Sequence, residues 1–257
     1  MDMIPDCVWK EIESVIPKKE TLVGRPASDP RRALNGILFV VYTGIQWKYL
    51  PRIYGPPSTI HGRLMRWIKN GVFDEIMRIA RRLYQEQKDF YGYWLVTDTS
   101  HTKAPFAKFS GRNPTDRGKR GVKKILFCDR VGAPLAVSAA SSNIHDSKLL
   151  TNAVEKLDLE KSAHYRILAA DSAFDAKELR NFCKQQGIIL VAATNVRRRT
   201  NIEKIRPKGR EVIERTFGWL AWYRGLKICW NKTIESFVAF LQLASSLQLF
   251  RMSGIFG

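Results

Sequence analysis

Apolar side chains recur every three to four residues through roughly the first ninety positions, which is the period of a helix with one buried face. The pattern predicts four short helices, with Asp6 as the N-cap of the first, over residues 6–16, 31–42, 58–70 and 74–86. Short helices separated by turns are typical of a bundle of the helix-turn-helix type. The third helix, with Arg63, Arg66 and Lys69, either lies on DNA or is a packing helix with solvated charges.

From residue 94 onward the pattern changes to short, nearly continuous apolar runs, which are typical of buried strands. Such runs predict strands over residues 94–97, 124–128, 134–139, 165–170 and 188–193. Helical spacing returns over residues 147–156, 175–186, from 210 onward and 234–250, and Asp175 with Glu178 forms a capping-box pattern. Strands alternating with helices indicate a mixed α/β domain whose helices cover a central sheet. We therefore expect a helical region over residues 1–92 and an α/β domain over 93–257.

The charge of the chain indicates a class of partner. The sequence has 257 residues with 43 Lys+Arg against 24 Asp+Glu, a net charge of +19 and a pI near 10.0. Residues 103–130 hold nine bases and two acids, and residues 197–227 hold ten bases and three acids. A folded protein with such blocks favours a polyanionic partner, nucleic acid first and an anionic membrane second. A solvated face kept basic for solubility explains either block alone.

The apolar segments argue against a membrane protein or a secreted one. The most apolar stretch, residues 237–250, includes polar side chains and falls short of the about twenty apolar residues that a spanning helix needs. The first twenty residues carry acids and no apolar run, so we expect no signal peptide and a cytoplasmic protein. The four Cys and four His show no zinc-type spacing, so we expect reduced, buried thiols.

Two carboxylates stand where predicted strands end. Asp98 follows the run at 94–97 and Asp171 follows the run at 165–170, and each precedes a small hydroxyl residue. Functional side chains of open α/β sheets gather beyond strand ends, so these two converge if their strands are neighbours. Such a pair suits Mg²⁺ or Mn²⁺, which prefer oxygen ligands and keep waters for a phosphate substrate. A turn-capping role explains either Asp alone, but the matching contexts favour the metal.

A third carboxylate would complete a site for the two metal ions that assist phosphodiester cleavage. The candidates downstream are Glu178, Glu203, Glu211 and Glu214. The capping-box pattern already explains the first of them. Glu214 lies beside the apolar stripe of its predicted helix, which directs it toward the sheet edge, but a surface ion pair with Arg210, four residues earlier, explains it equally well. The spacing leaves both interpretations open.

Several motifs, taken in order, resemble those of the DDE transposases of bacterial insertion sequences, in the group with a short, uninterrupted catalytic domain. The N-terminal part of the resemblance lies at residues 34–38, 43–44, 47, 50–51, 58–67 and 71–74. The later part lies at residues 97–100, 111–121, 143, 145–146, 170–175 and 210–220. The resemblance therefore runs essentially from end to end.

This resemblance implies a ribonuclease-H-like mixed sheet flanked by helices, after an N-terminal all-α helix-turn-helix-like region that binds DNA or oligomerises. It implies a divalent-metal site of Asp98, Asp171 and Glu214, with Mg²⁺ or Mn²⁺, that cleaves double-stranded DNA at the ends of the element and transfers strands to target DNA. It also implies a homodimer on DNA and a nucleoid-associated protein. The side chains expected to contact DNA are Arg112, Arg117, Lys119, Arg120, Lys123, Lys124, Arg197, Arg198, Arg199, Arg210, Arg215 and Arg224.

Two motifs depart from the pattern of the family. Ala221 stands where the family often has a Lys, and Ala173-Phe174 replaces the usual Gly-Tyr. Asp171 and Glu214 are only forty-three residues apart, so a large β-rich insertion has no room between them. An aromatic side chain that stacks on an unpaired base must therefore come from elsewhere, and the candidates are Trp219, Trp222 and Tyr223.

Two other functions fit parts of the sequence. A catalytically inactive DNA-binding regulator, derived from a transposase, would use the helical region and show no nicking that depends on a divalent metal. A plain metal-dependent nuclease would cut DNA without forming strand-transfer products. An RNA substrate is disfavoured only by the resemblance.

Overall fold

The computed structural model describes residues 4–17, 28–87, 93–114, 116–155, 157, 166–194 and 210–255. Glu203 and the run Arg197, Arg198 and Arg199 lie outside these described residues. Within them, no helix is long and apolar enough to cross a membrane.

Four α-helices occupy the described part of the first ninety residues: α1 Asp6–Ile12, α2 Pro30–Thr43, α3 Pro57–Lys69 and α4 Val72–Gln87. Sequence fixes both ends of α2. Its first turn is capped because the Asp29 side chain accepts the N–H of Arg31, and Pro30 occupies a position that needs no donor. It ends at Gly44, whose φ of +67° is left-handed.

The start of α1 differs from the prediction. The N-cap is Pro5, without a side-chain cap, and Asp6 lies inside the first turn. The Asp6 carboxylate instead pairs with Arg31 of α2 across 2.5 Å. A carboxylate in the first turn still complements the positive end of the helix dipole, so Asp6 both favours α1 and joins it to α2.

Six strands of the described residues form one mixed sheet: β1 Trp94–Lys103, β2 Gly111–Arg112, β3 Arg120–Asp129, β4 Pro134–Ser141, β5 Arg166–Ala170 and β6 Ile188–Ala192. The central strand β1 is antiparallel to β3 on one side and parallel to β5 on the other. Strands β2 and β4 pair antiparallel with β3, and β6 pairs parallel with β5. The predicted hairpin between β3 and β4 is present.

Helices cover both faces of this sheet: α5 Asp146–Glu155, α6 Lys177–Gln185, α7 Arg210–Leu220 and α8 Ile234–Met252. Side chains alternate between faces along a strand. On one face, the Lys124 ammonium lies 5.7 Å from the centre of the Phe217 ring of α7. On the other, the Thr99 hydroxyl donates to Asp146 of α5 across 3.3 Å. The mixed sheet flanked by helices, after a helical region, confirms the expected ribonuclease-H-like class.

Strand β1 is longer than predicted. It continues beyond Thr97 to Lys103, which pairs with Gly121 of β3, so Asp98 lies within the strand and not at its end. The extension escaped prediction because residues 99–103 are mostly polar. Their backbone is nevertheless paired along its whole length.

The predicted capping box of α6 is absent. The helix begins at Lys177, and its N-cap Ala176 makes no side-chain cap. Asp175 forms an ion pair with Arg180 across 2.6 Å. Because Asp175 is buried, this pair packs the start of α6 against the fold.

Helix α8 joins the helical region to the sheet. It is buried on nearly every side and contacts both α4 and β4. The Gln242 amide of α8 donates to Asp74 of α4 across 2.5 Å. Buried apolar side chains from both regions form one cluster, so the helical region and the sheet share a core across the predicted boundary at residues 92 and 93.

All four cysteines are free thiols. Cys128, Cys183 and Cys229 are buried as expected, but Cys7 is exposed. Burial raises the pKa of Cys183 to about 11 and that of Cys128 and Cys229 to about 12. The three buried thiols therefore stay protonated near neutral pH.

Candidate active site

The parallel pairing of β1 with β5 places two carboxylates at the same level of the sheet. The last register pair is Val96 with Ala169, and two further residues along each strand lead to Asp98 and Asp171. Asp171 keeps an extended backbone, with φ of −74° and ψ of 168°, so it continues the direction of β5. Neighbouring strands lie about 4.8 Å apart. The two aspartates are therefore adjacent, as expected for neighbouring strands.

A matching hydrogen bond orients each of these carboxylates. Oδ1 of Asp98 accepts the N–H of Thr99 across 2.7 Å, and Oδ1 of Asp171 accepts the N–H of Ser172 across 2.6 Å. Both aspartates are half-buried. The backbone thus holds the pair in the same orientation at the edge of the buried core.

The face of the sheet that carries Asp98 is the one that α7 covers. Asp98 pairs with Leu126, and Ser100, two residues on, pairs with Lys124; paired and alternate residues share a face. Lys124 is only 8% exposed and lies over the ring of Phe217. Burial lowers the pKa of Lys124 to about 8. A buried amine therefore lies on the same face of the sheet as Asp98, beneath α7.

Contacts with the turn between β3 and β4 fix the position of α7. The Thr216 hydroxyl donates to the carbonyl of Gly132 across 2.9 Å, and the Arg215 guanidinium donates to the carbonyl of Val131 across 2.9 Å. Gly132 has φ of +93°, and a Cβ there would lie 2.8 Å from the Thr216 hydroxyl oxygen. The helix approaches the turn this closely because residue 132 is glycine.

Glu214 lies on this covering helix, directly after the fully buried Ile213. Its side chain is exposed. Among the described residues, no group of three or more His, Cys, Asp or Glu side chains is close enough to hold a metal ion. The structure therefore brings Asp98 and Asp171 together and puts Glu214 on the helix above, outside that pair. The oxygen donors of the pair fit a hard divalent cation.

The opposite face carries a polar cluster that binds α5 to the sheet. The Lys123 ammonium pairs with Asp146 across 2.8 Å and donates to the carbonyl of Ile144, also across 2.8 Å. Thr99 donates to the same Asp146 oxygen. The polar turn before α5 therefore has a structural role.

Burial divides the expected DNA-contacting side chains. Arg112, Arg117, Lys119, Arg120, Arg215 and Arg224 are exposed, although Lys119 also pairs with Asp116 across 3.5 Å. Lys123 and Lys124 are buried. Neither reaches out to a DNA backbone in this fold, so including them in the DNA-contacting set is corrected.

Two of the arginines hold the protein's own loops. The Arg120 guanidinium donates to the carbonyl and hydroxyl oxygens of Ser110, across 2.8 and 2.9 Å. Arg215 is bound to the turn at Val131. The backbone of Arg210 begins α7, and its side chain is not among those that the structure describes.

Helix α3 offers fewer free charges than its sequence indicated. Arg63 is buried and donates to the carbonyl of Ser28. Arg66 and Lys69 are exposed. The packing interpretation therefore holds for Arg63, and two bases of α3 face solvent.

The three aromatic candidates near Glu214 occupy different settings. Tyr223 is buried and packs edge-on against Tyr42, with ring centres 6.0 Å apart. Trp219 is half-buried, with the Arg215 guanidinium 5.2 Å from its ring centre. Trp222 is 75% exposed.

Sequence reasoning missed an exposed aromatic pair. Phe106 and Trp230 stack with ring centres 5.6 Å apart and planes at 23°, and they are 78% and 56% exposed. They lie more than a hundred residues apart in the chain. No local pattern indicates the pair, because a nonlocal bridge between Lys103 and Ile228 brings the segments together.

Two family models match the chain in succession. A model described as "Putative transposase of IS4/5 family" matches residues 4–77. A model described as "Transposase DDE domain" matches residues 93–249, more than half of the chain. The chain belongs to the DDE transposase family. The expected family is thereby confirmed.

Relatives of this DDE transposase include proteins of insertion elements. It is 31% identical over 144 residues to the "Putative transposase for insertion sequence element IS402" of Burkholderia cepacia. That match covers 54% of this chain and 67% of the relative. It is 36% identical over 96 residues to the "Insertion element IS402 uncharacterized 16.2 kDa protein" of the same organism. That match covers 34% of this chain and 65% of the relative.

Solved structures show more distant likenesses. A piggyBac transposase synaptic complex with hairpin DNA has a TM-score of 0.44 at 10% identity, covering 96% of this transposase and 71% of that chain. The catalytic core domain of BIV integrase has a TM-score of 0.35 at 17% identity, covering 62% and 82%.

Proposed function

We propose that this DDE transposase cuts double-stranded DNA at the ends of its insertion sequence and transfers the freed strands to target DNA. The observation that carries the proposal is the register of β1 and β5, which sets Asp98 beside Asp171. Both aspartates lie within the segment matched by the transposase domain model. Adjacent carboxylates on neighbouring strands are the ligands that a phosphoryl-transfer metal requires.

Asp98, Asp171 and Glu214 are the proposed metal ligands. A Mg²⁺ or Mn²⁺ ion held there would supply activation of the attacking hydroxyl and charge neutralisation on the phosphodiester. Asp98 and Asp171 supply oxygen donors held by the backbone N–H groups of Thr99 and Ser172. Glu214 supplies the third carboxylate from α7, the helix that covers the Asp98 face.

The exposed bases are proposed to bind the DNA backbone. Phosphates would otherwise be repelled by three acids, and nearby Lys and Arg side chains offset that repulsion. Arg112, Arg117, Lys119, Arg120, Arg215 and Arg224 are exposed, and the run of arginines at 197–199 with Arg210 belongs to the same proposal. Joining two element ends requires two copies of the site, so a homodimer on DNA is proposed as well.

A nicking assay tests the metal site. The substrate is a plasmid carrying the DNA that flanks the coding region, incubated with Mg²⁺ or with EDTA. Losing a metal ligand removes several kcal/mol of transition-state stabilisation, so Asp98→Asn, Asp171→Asn and Glu214→Gln each lower the cleavage rate by at least about 100-fold. Binding measured by gel shift stays within about threefold, since the bases are unchanged.

Glu211→Gln is the matched control, because Glu211 is an exposed glutamate one turn earlier on α7. It keeps full activity. Cleavage retained by Glu214→Gln, or lost equally in Glu211→Gln, contradicts the assignment. Binding without cleavage by the unsubstituted protein indicates the regulator, and cleavage without joined products indicates the plain nuclease.

A further inference from the structure

The stacked pair Phe106–Trp230 has a surface position that core packing does not explain. Large aromatic rings that are more than half exposed and stacked on each other are costly in water unless something covers them. The backbone beneath the pair is fixed: Lys103 bridges Ile228, and the N–H of Cys229 donates to the carbonyl of Lys103 across 2.8 Å. The two rings therefore form a platform on a backbone that is held in both segments.

A pocket of about 400 Å³ adjoins the same tryptophan. Its walls include Trp47, Trp230 and Phe240, and two residues with amide side chains, Gln46 and Asn231, also line it. Proteins that hold an unpaired nucleobase stack it between aromatic side chains and bind its edge through hydrogen bonds. This pocket offers both kinds of contact.

The charges around the platform favour a polyanion as its binding partner. The two segments that carry the pair, residues 103–112 and 222–232, contain no Asp or Glu. Their six bases are all exposed: Lys103, Lys108, Arg112, Arg224, Lys227 and Lys232. A protein partner would need matching acids, whereas a DNA strand presents a phosphate at every nucleotide.

The platform also lies at a usable distance from the aspartates. Asp98 and Lys103 are both in β1, so at about 3.4 Å per residue they lie roughly 17 Å apart. This corresponds to about five base steps of one strand, at about 3.4 Å per step. A strand at Asp98 therefore reaches the platform within a few nucleotides.

We propose that Trp230, supported by Phe106, binds an unpaired or extrahelical base of the DNA in the pocket formed with Trp47, Gln46 and Asn231. The inference rests on the proposed DNA substrate. Phe106 holds the indole from one side, and the base packs against the rest of it. The site positions the strand and takes no part in bond cleavage.

The test uses the Asp98→Asn protein in EDTA, so that binding is measured without cleavage. The probes are two duplexes of equal length that carry one 2-aminopurine, paired in one and extrahelical in the other. Base–aromatic stacking strengthens binding by about 5- to 140-fold per base. The extrahelical probe therefore binds tighter by about that factor, with quenched 2-aminopurine fluorescence.

Trp230→Ala removes this preference and the quenching while leaving the paired duplex bound as before, and Trp230→Phe keeps most of both. Trp222→Ala is the control, since Trp222 is an exposed tryptophan outside the pocket lining. Equal binding of the two probes by the parent protein overturns the proposal without any variant. Loss of the preference in Trp222→Ala overturns the proposal too. It is also overturned if the parent protein shows no preference and Trp230→Ala shifts from dimer to monomer.

Cleavage of the flanking-DNA plasmid by the unsubstituted protein separates this inference from the proposed function. Cleavage without an extrahelical preference overturns the base pocket alone. A preference without cleavage overturns only the proposed function.

Discussion

The hydroxyl of Tyr84 donates a hydrogen bond to Oδ2 of Asp129 across 2.6 Å, and both side chains are buried. Oδ1 of the same carboxylate accepts the backbone N–H groups of Val131 and Ala133. One residue of α4 is thereby bound to the turn that positions α7. Burial, with the hydrogen bond to Asp129, raises the pKa of Tyr84, so the hydroxyl remains a donor well into alkaline pH.

Tyr84→Phe should therefore destabilise the protein although it removes only one oxygen. It leaves a buried carboxylate short of a partner, which costs about 1–3 kcal/mol. Urea unfolding followed by circular dichroism measures the loss. Tyr49→Phe is the control, because Tyr49 is largely exposed; equal stability of the two variants would contradict the importance of the contact.

Lys124→Met should stabilise the protein at neutral pH. Burial lowers the pKa of Lys124 to about 8 from 10.5, so below pH 8 the folded protein carries a charge that burial disfavours. The variant avoids that cost, which is roughly 3 kcal/mol for a shift of this size.

The pH dependence of this difference follows from proton binding. Between about pH 8 and 10.5 the unfolded chain binds more protons at Lys124 than the folded protein, so wild-type stability rises with pH relative to the variant. The advantage of Lys124→Met therefore shrinks toward zero near pH 10.5. Lys119→Met, at an exposed lysine, should show less than about 1 kcal/mol at any pH. An advantage that grows with pH would refute the burial argument.

Gly132→Ala should displace α7. The new methyl group meets the Thr216 hydroxyl at 2.8 Å, in a backbone with φ of +93°. Gly118→Ala is a matched control, because Gly118 has φ of +72° with nothing within 4 Å, so it carries the backbone strain alone. We expect Gly132→Ala to be less stable than this control by about 1–3 kcal/mol in thermal unfolding.

The same pair of variants tests the placement of Glu214. If α7 carries a metal ligand, Gly132→Ala also lowers the nicking rate at a temperature where it remains folded. Gly118→Ala does not. Equal nicking rates in the two variants would show that the position of α7 has no influence on cleavage.

Neutralising the exposed bases should change the salt dependence of DNA binding. Changing Arg112, Arg117 and Arg224 together to Gln removes up to three phosphate contacts. The slope of log K against log salt then falls by roughly 0.9 per contact, measured by fluorescence anisotropy on a duplex. Arg82→Gln, at an exposed arginine already paired with Glu86, should leave the slope unchanged; an equal effect there would indicate a diffuse field and not a defined surface.

Apolar periodicity was enough to predict most helices and strands, because the buried face of each element is apolar. It failed at the second half of β1, where Thr99 faces a polar cluster built on Asp146. It also failed at α6, since Asp175 fits a capping box but pairs with Arg180. Local patterns indicate burial, and they do not show which polar partner a buried residue finds.

The candidate site was predictable only in part for the same reason. The sequence indicated that Asp98 and Asp171 converge, because each follows an apolar run. It left Glu214 open, since spacing cannot distinguish a ligand from a surface ion pair. The contact between Phe106 and Trp230 depends on a bridge between distant segments, which no local pattern contains.

The position of α8 has a consequence for synthesis on the ribosome. Residues 234–252 supply apolar surface to both α4 and β4, and they are translated after every other element of the sheet and of the helical region. Chains usually fold from the N-terminus as they emerge, yet here the early helices lack a packing partner until residues 234–252 have been translated. A ribosome that stalls before residue 234 therefore leaves a chain with its core open and its apolar faces available to chaperones.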